Sequence, residues 1–238
     1  MKRTVALILA AGKGTRMGGE LPKPLIKLNQ KPLLHHVLDT VKKIPNLHPA
    51  VVIGHQGEMI KESLPDFEGD FIEQGEPLGT GHALMVARGH LLKAQRILVL
   101  YADMPFVSAE TLGGLLRVGE SKTAEVVIGT VLIDGELFSD YGRIVRDQNN
   151  LVLRIVEKKN ATPEELAIRE VNAGFYCLDG DFVKNNIGRL RPNSVTNEYY
   201  LTDIVEVALK AGCKVETFEI PKNEAIGFNT QDQLAEFV

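Results

Sequence analysis

Only two cysteines, Cys177 and Cys213, occur in the 238-residue chain, far apart and in no metal-ligand spacing. Their scarcity excludes a disulfide scaffold or a thiolate metal cluster and fits a reducing, cytoplasmic setting with both thiols buried as small apolar groups. No apolar run approaches the roughly 20 residues of a membrane-spanning helix. The stretch from Val5 to Ala11 is apolar but is closed by Gly12-Lys13-Gly14, so it reads as a buried strand and is too short for a secretory signal. An excess of positive charge is also lacking. A net charge of −4 gives no general attraction to nucleic acid or to an anionic membrane, so a polyanionic ligand has to be held by a few placed cations. There is no low-complexity linker, internal repeat or block of like charge, and hence no sharp domain boundary. The expectation is a single domain over residues 1–238.

What is present is an alternation of short apolar runs with longer stretches of helical period, the pattern of βα units around a mostly parallel sheet. Strands are expected at Thr4 to Ala10, Ala50 to Gly54, Phe71 to Gln74, Arg96 to Tyr101 and Ala124 to Val131. Further strands are expected at Gly142 to Val145, Val152 to Val156, Val171 to Leu178 and Lys214 to Ile220. Helical spacing runs through Pro32 to Ile44, Gly57 to Leu64, Gly81 to Leu92, Ala109 to Ser121, Asp181 to Leu190 and Leu201 to Ala211. Pro32 suits a first turn and Gly212 the position just past a last one. Closer-spaced strands and turn signals in the second half predict an antiparallel extension. In such sheets ligands bind outside the carboxyl ends of the strands, which gives weight to residues that follow a strand.

The segment Gly12-Lys13-Gly14-Thr15-Arg16-Met17 follows the first strand but fits neither familiar phosphate-loop template. The dinucleotide fingerprint needs glycine where Met17 stands, and the ATPase loop needs a Gly-Lys-Ser/Thr run that neither glycine begins. What remains is a glycine-rich turn that is either structural or offers N–H groups and charge to phosphate oxygens. Lys13 reads equally well as a solvated loop charge. In Leu21-Pro22-Lys23-Pro24-Leu25 a lysine stands between two prolines, whose restrained backbone can aim it at a fixed point. Asp103 follows the strand that ends at Tyr101; read alone, it is either a cation ligand or a turn former.

Leu9-Ala10-Ala11-Gly12-x-Gly14-Thr15-Arg16-Met17 followed by Leu21-Pro22-Lys23 resembles the start of the sugar nucleotidyltransferases. Gln74-Gly75-Glu76-Pro77-Leu78-Gly79-Thr80-Gly81-His82-Ala83, Tyr141-Gly142-Arg143, Val156-Glu157-Lys158, Glu170-Val171-Asn172-Ala173-Gly174 and Asn197-Glu198-Tyr199-Tyr200-Leu201-Thr202-Asp203 narrow the resemblance to the bacterial N-acetylglucosamine-1-phosphate uridyltransferase domain. Order and spacing agree from Val5 to about Asn229.

That resemblance implies a Rossmann-like nucleotidyltransferase α/β fold: a mostly parallel mixed sheet flanked by helices, with a smaller antiparallel sugar-binding part. The nucleotide-binding part would cover about residues 1–135 and the sugar-binding part about 136–229. The implied partners are UTP and a sugar 1-phosphate, the cofactor is magnesium (Mg2+), and the chemistry is in-line attack on the α-phosphorus. By resemblance Lys23 and Arg16 are the catalytic cations, Lys23 at the reacting phosphates and Arg16 on the leaving pyrophosphate. Leu9, Ala10, Ala11, Gly12, Gln74, Gly79, Thr80 and Asp103 would bind the nucleotide, and Asp103 with Asn229 would hold the metal. Gly142, Glu157, Asn172, Tyr200 and Thr202 would bind the sugar. His82 is read as a helix-start or packing residue, because an already ionised phosphate needs no base. Of the two adjacent tyrosines, Tyr199 is assigned to core packing and Tyr200 to the pocket, on opposite sides of an extended segment.

Departures from the family bear on the sugar more than on the reaction. Ala102 stands where glycine usually precedes the metal aspartate and is expected to crowd the ribose or the sugar. Ala173 replaces threonine, Asn160 replaces aspartate, and Pro192-Asn193-Ser194-Val195-Thr196 differs from the usual run. No hexapeptide repeat occurs, so acetyl transfer is not expected of this chain. The alternatives left open are glucose 1-phosphate with UTP or dTTP, and a non-catalytic nucleotide-sugar sensor. A glycosyltransferase is disfavoured, because Asp103-Met104-Pro105 lacks a second aspartate.

Overall fold

The structure, a computed structural model, describes residues 3–12, 21–133, 140–228 and 234. Strand β1 (Arg3–Leu9) opens the chain, and a two-residue hairpin, β2 (Lys27–Leu28) and β3 (Lys31–Pro32), precedes helix α1 (Leu33–Lys42). Then come β4 (Leu47–Ile53), α2 (Gly57–Glu62), β5 (Asp70–Glu73), α3 (Thr80–Leu91), β6 (Ala94–Tyr101), α4 (Ala109–Ser121) and β7 (Val126–Leu132). The second half supplies β8 (Arg143–Arg146), β9 (Val152–Val156), α5 (Pro163–Leu166), β10 (Glu170–Asp179), α6 (Gly180–Asn186), α7 (Ile204–Lys210) and β11 (Val215–Glu219). Every strand expected from the sequence is present within a few residues of its expected bounds. The β2–β3 hairpin was not anticipated: Asn29 and Gln30, both at positive φ, turn the chain there, and Pro32 precedes the helix instead of opening it. Gly212 does sit past α7 at φ 71, where its N–H and that of Cys213 satisfy the carbonyls of Leu209 and Ala208.

The main sheet runs β11-β7-β10-β6-β1-β4-β5, with β8 and β9 joined to it through β10. All pairings along this path are parallel except those made by β10. Because side chains alternate along a strand, Val5, Leu7 and Leu9 of β1 feed one core while Ala6, Ile8 and Ala10 feed the other. Helices α3, α6 and α7 cover the first face, and α1, α2 and α4 the second. Residues from both halves of the chain thus share the same two cores. Cys177 is buried, but Cys213 is only half-buried, which corrects the expectation that both thiols lie inside. Among the described residues no helix is long and apolar enough to cross a membrane.

Two features open a crevice at the carboxyl ends of the central strands. After β1 the chain builds outward through β4 and β5, then returns to the other side of β1 with β6, so the connections diverge between β1 and β6. Next, β10 changes partner. Residues Tyr176 to Asp179 pair with β6, but the register breaks between Asn172 and Tyr176, and Val171 pairs instead with Arg143 of β8. Gly174 lies in the break at φ 85, and its N–H donates to Asn172 Oδ1 at 3.0 Å. A Cβ there would stand 3.2 Å from the ring of Tyr101, so glycine meets both the torsion and the close approach. The end of β6 is left uncovered by β10.

Candidate active site

The crevice is a cleft of about 720 Å³, within the size range of small-molecule sites. Leu9, Ala10, Ala11 and Gly12 line it from the end of β1, and Gln74 from the end of β5. Gly79 and Thr80 line it from the start of α3, Ala102 and Asp103 from the end of β6, Glu157 from the end of β9, and Lys23 and Tyr200 from loops. The structure therefore brings most of the residues singled out from the sequence into one cavity. Gly142, Asn172 and Thr202 stand one layer behind it. The Thr202 hydroxyl donates to Glu157 Oε1 at 3.1 Å, a Cβ on Gly142 would lie 3.7 Å from that oxygen, and Asn172 N–H donates to the Gly142 carbonyl at 2.8 Å. Lys13, Thr15, Arg16, Met17 and Asn229 lie outside the described residues.

Lys23 sits in a short 3₁₀ turn, Lys23–Leu25, flanked by the buried rings of Pro22 and Pro24. Its ammonium reaches Asp103 Oδ2 in an ion pair whose side chains are only 14% and 22% exposed, so the charges are poorly screened. Asp103 is also braced through its backbone: its carbonyl accepts from Phe228 N–H at 3.1 Å, which ties the 225–228 segment to the end of β6. The Tyr141 hydroxyl donates to the Ala225 carbonyl at 2.6 Å from the same side, and burial pushes this phenol up to about 12.

Two loops of the cleft are joined by hydrogen bonds. Tyr199 N–H donates to the Leu78 carbonyl at 2.8 Å, Gly81 N–H donates to the Tyr199 carbonyl at 2.8 Å, and Leu201 N–H donates to Thr80 Oγ1 at 3.1 Å. A Cβ on Gly79, which has φ +99, would stand 2.5 Å from the Tyr199 carbonyl oxygen, so the clasp closes only around glycine. Tyr199 packs on the core and Tyr200 lines the cleft, although the pair is in irregular chain and not on a strand. The Tyr200 hydroxyl is held by Thr196 Oγ1 at 2.6 Å and by the ammonium of Lys159, which lies 4.5 Å from the ring centroid.

Sequence reasoning gave no site role to Tyr101, Lys159 or Glu198, all of which line the cleft. The rule that drew attention to Asp103, position after a strand, points equally to Tyr101 at the end of β6. Lys159 stands two residues from Glu157, within the same turn. Burial raises the Tyr101 phenol well above its usual range, opposed by a hydrogen bond with Thr80. Behind Glu157, the carboxyl of Asp203 is raised to about 6, mainly by burial and then by the nearby charges of Glu206 and Glu157.

Residues 6–135 match the family described as the MobA-like NTP transferase domain. The chain is 40% identical over 232 residues to the bifunctional protein GlmU of Clostridium novyi (strain NT), covering 97% of this chain and 50% of that protein. It is 42% identical over 231 residues to GlmU of Burkholderia orbicola (strain AU 1054), again 97% of this chain and 50% of the relative. The chain thus spans about half the length of the curated relatives it matches. Among solved structures, a Bacillus anthracis protein described as a glucose-1-phosphate thymidylyltransferase, in complex with sucrose, superposes with a TM-score of 0.75 at 21% identity over 98% of this chain and 93% of that one. The 4-diphosphocytidyl-2C-methyl-D-erythritol synthase of Anaerococcus prevotii DSM 20548 superposes with a TM-score of 0.69 at 17% identity, over 99% and 96% of the two chains.

Proposed function

The chain belongs to the MobA-like NTP transferase domain family, and on that premise we propose that it converts UTP and N-acetylglucosamine 1-phosphate to UDP-N-acetylglucosamine and pyrophosphate. The observation that carries the reading is a single cleft in which the Gly12, Gln74, Gly79 and Thr80 set, the Glu157 and Tyr200 set, and the Lys23–Asp103 pair all meet. The first set supplies backbone and amide groups suited to a small planar base. The second supplies a carboxylate and an aromatic hydroxyl suited to a sugar.

The reaction forms a bond from an oxygen of the sugar phosphate to the α-phosphorus of UTP as the bond from that phosphorus to the bridging β-phosphate oxygen breaks. Pyrophosphate leaves with the electron pair. The attacking phosphate is already ionised, so the protein's task is to bring two polyanions together and neutralise their charge. Lys23 suits that task because its backbone is pinned between two prolines and its ammonium is shielded from water. Arg16 is the proposed cation for the leaving pyrophosphate. His82 takes no proton in this scheme.

Asp103 suits a magnesium ion. Asp103 offers a hard carboxylate oxygen and already holds a cationic group. Among the described residues no cluster of three or more His, Cys, Asp or Glu converges, whereas magnesium is held through one or two protein oxygens plus phosphates and water. Asp103 and Asn229 would hold the ion, which when bound supplies charge neutralisation at the phosphate oxygens.

Pyrophosphate release across UTP, dTTP and CTP against N-acetylglucosamine 1-phosphate and glucose 1-phosphate, with magnesium and with a chelator, tests this reading. UTP with N-acetylglucosamine 1-phosphate should be the fastest pair, and the chelator should stop it. Faster turnover with glucose 1-phosphate would change the sugar. No release from any pair would replace the enzyme reading with a nucleotide-sugar sensor.

A further inference from the structure

Gln74 is 6% exposed at the end of β5, with its backbone fixed by Gln74 N–H donating to the Ile53 carbonyl at 2.8 Å. Its side-chain amide has two protein neighbours. Nε2 lies 3.0 Å from the Gly79 carbonyl oxygen and 3.2 Å from Nδ1 of His82. A carbonyl only accepts, so the atom facing it must be the amide nitrogen, which gives the amide the first of two anchors. The second amide hydrogen then points at His82 Nδ1. That nitrogen can receive it only as a bare acceptor, which puts the imidazole proton on Nε2. The ring is itself fixed, in the first turn of α3 and 6.0 Å centroid to centroid from Tyr199, whose backbone is part of the loop clasp.

Both hydrogens of the Gln74 amide are thereby committed to protein, and the group can show the cleft only its oxygen. Set against a pyrimidine edge, a lone acceptor would match the N3–H donor of uracil. It meets the bare N3 of cytosine acceptor to acceptor. We infer that His82 is a positioning residue that fixes the Gln74 amide, through an unprotonated Nδ1, in the orientation that selects a uracil over a cytosine base. The inference rests on the uridylyl reading above and deepens it. His82 has no contact with the reacting phosphates in this scheme, and its effect reaches the base only through Gln74.

Two substitutions separate this role from plain packing. His82→Phe keeps a ring beside Tyr199 and removes the acceptor. His82→Asn loses the ring but can present an oxygen close to where Nδ1 stood. The readout is the ratio of kcat/KM with UTP to kcat/KM with CTP, at saturating sugar phosphate. Loss of one of the two amide anchors should lower the ratio by roughly five- to tenfold in His82→Phe, the scale of one hydrogen bond. His82→Asn should hold the ratio within about twofold of the parent. An unchanged ratio in His82→Phe, or an equal loss in both variants, overturns the role while leaving the uridylyl reading intact. A parent protein that turns over no UTP overturns both. Imidazole nitrogen shifts in the histidine-labelled, ligand-free protein give a reading that needs no turnover. His82 should show an unprotonated Nδ1 and a protonated Nε2 at pH 8, and the opposite tautomer would overturn the inference.

Discussion

Lys23 and Asp103, 80 residues apart in the chain, close an ion pair at the mouth of β6. The proposed phosphate cation and the proposed metal carboxylate are therefore each other's partners before any ligand arrives. Lys23→Ala and Asp103→Ala should each lower kcat/KM for UTP by at least about a hundredfold, a loss of roughly 2.7 kcal/mol of transition-state stabilisation. Steady-state pyrophosphate release with circular dichroism of each variant checks this. A folded variant with near-parental turnover removes that residue from the reacting centre.

The Thr202 hydroxyl orients Glu157, so removing it should be felt at the sugar. Thr202→Val keeps the shape but deletes the donor, and Glu157→Gln removes the charge. Each should raise KM for the sugar phosphate by about five- to tenfold, the scale of a single hydrogen bond, with KM for UTP little changed. Equal rises in both KM values would place Glu157 outside the sugar subsite.

Gly79→Ala should damage the whole clasp. The new methyl meets the Tyr199 carbonyl in a backbone conformation that suits glycine, a strain of roughly 1–3 kcal/mol. For a chain of this size each kcal/mol lowers Tm by about 2–4 °C. Both substrates should bind more weakly, because the carbonyl that is pushed belongs to the loop bearing Tyr200. A thermal melt and two KM determinations suffice, and a sugar-phosphate KM that does not move would show that the loops act independently.

Asp203 makes stability depend on pH. Its folded carboxyl titrates near 6 against a usual value of 3.8, so between those values the folded state binds more protons than the unfolded one. Stability from this group is therefore fully present below about pH 4 and is lost as pH rises through about 6. Asp203→Asn should raise stability at pH 7.5 relative to the parent by an amount on the order of 1 kcal/mol after solvent screening, read as a higher Tm, and have little effect at pH 4. A rise of equal size at both pH values would assign the effect to something other than ionisation.

Periodicity made the strands legible where the buried run is short and apolar, as with Val126–Leu132. It did not reveal the Lys27–Pro32 hairpin, which consists of two residues a side and buries only Leu28 within its strands. The small helix α5 has a signature in Thr162 and Glu165, a reciprocal capping box, but at four residues it is too short to show a helical period. Gln74, Gly79, Asp103, Glu157 and Tyr200, singled out by motif resemblance, all line one cleft. The resemblance was blind to the pairing of Gln74 with His82. That contact depends on how the loop between β5 and α3 folds back, and a periodicity read within one element says nothing about a pair that spans two.

The partner change of β10 at Gly174 also limits how the protein can be rebuilt. Residues 170–179 come from the second half of the chain, yet the strand they form is inserted between β6 and β7. A chain cut near residue 135 would leave those two strands facing an empty slot. The second half of the chain is therefore not a cassette that recombination can exchange, because the strand it would carry away is a central member of the sheet that the first half needs.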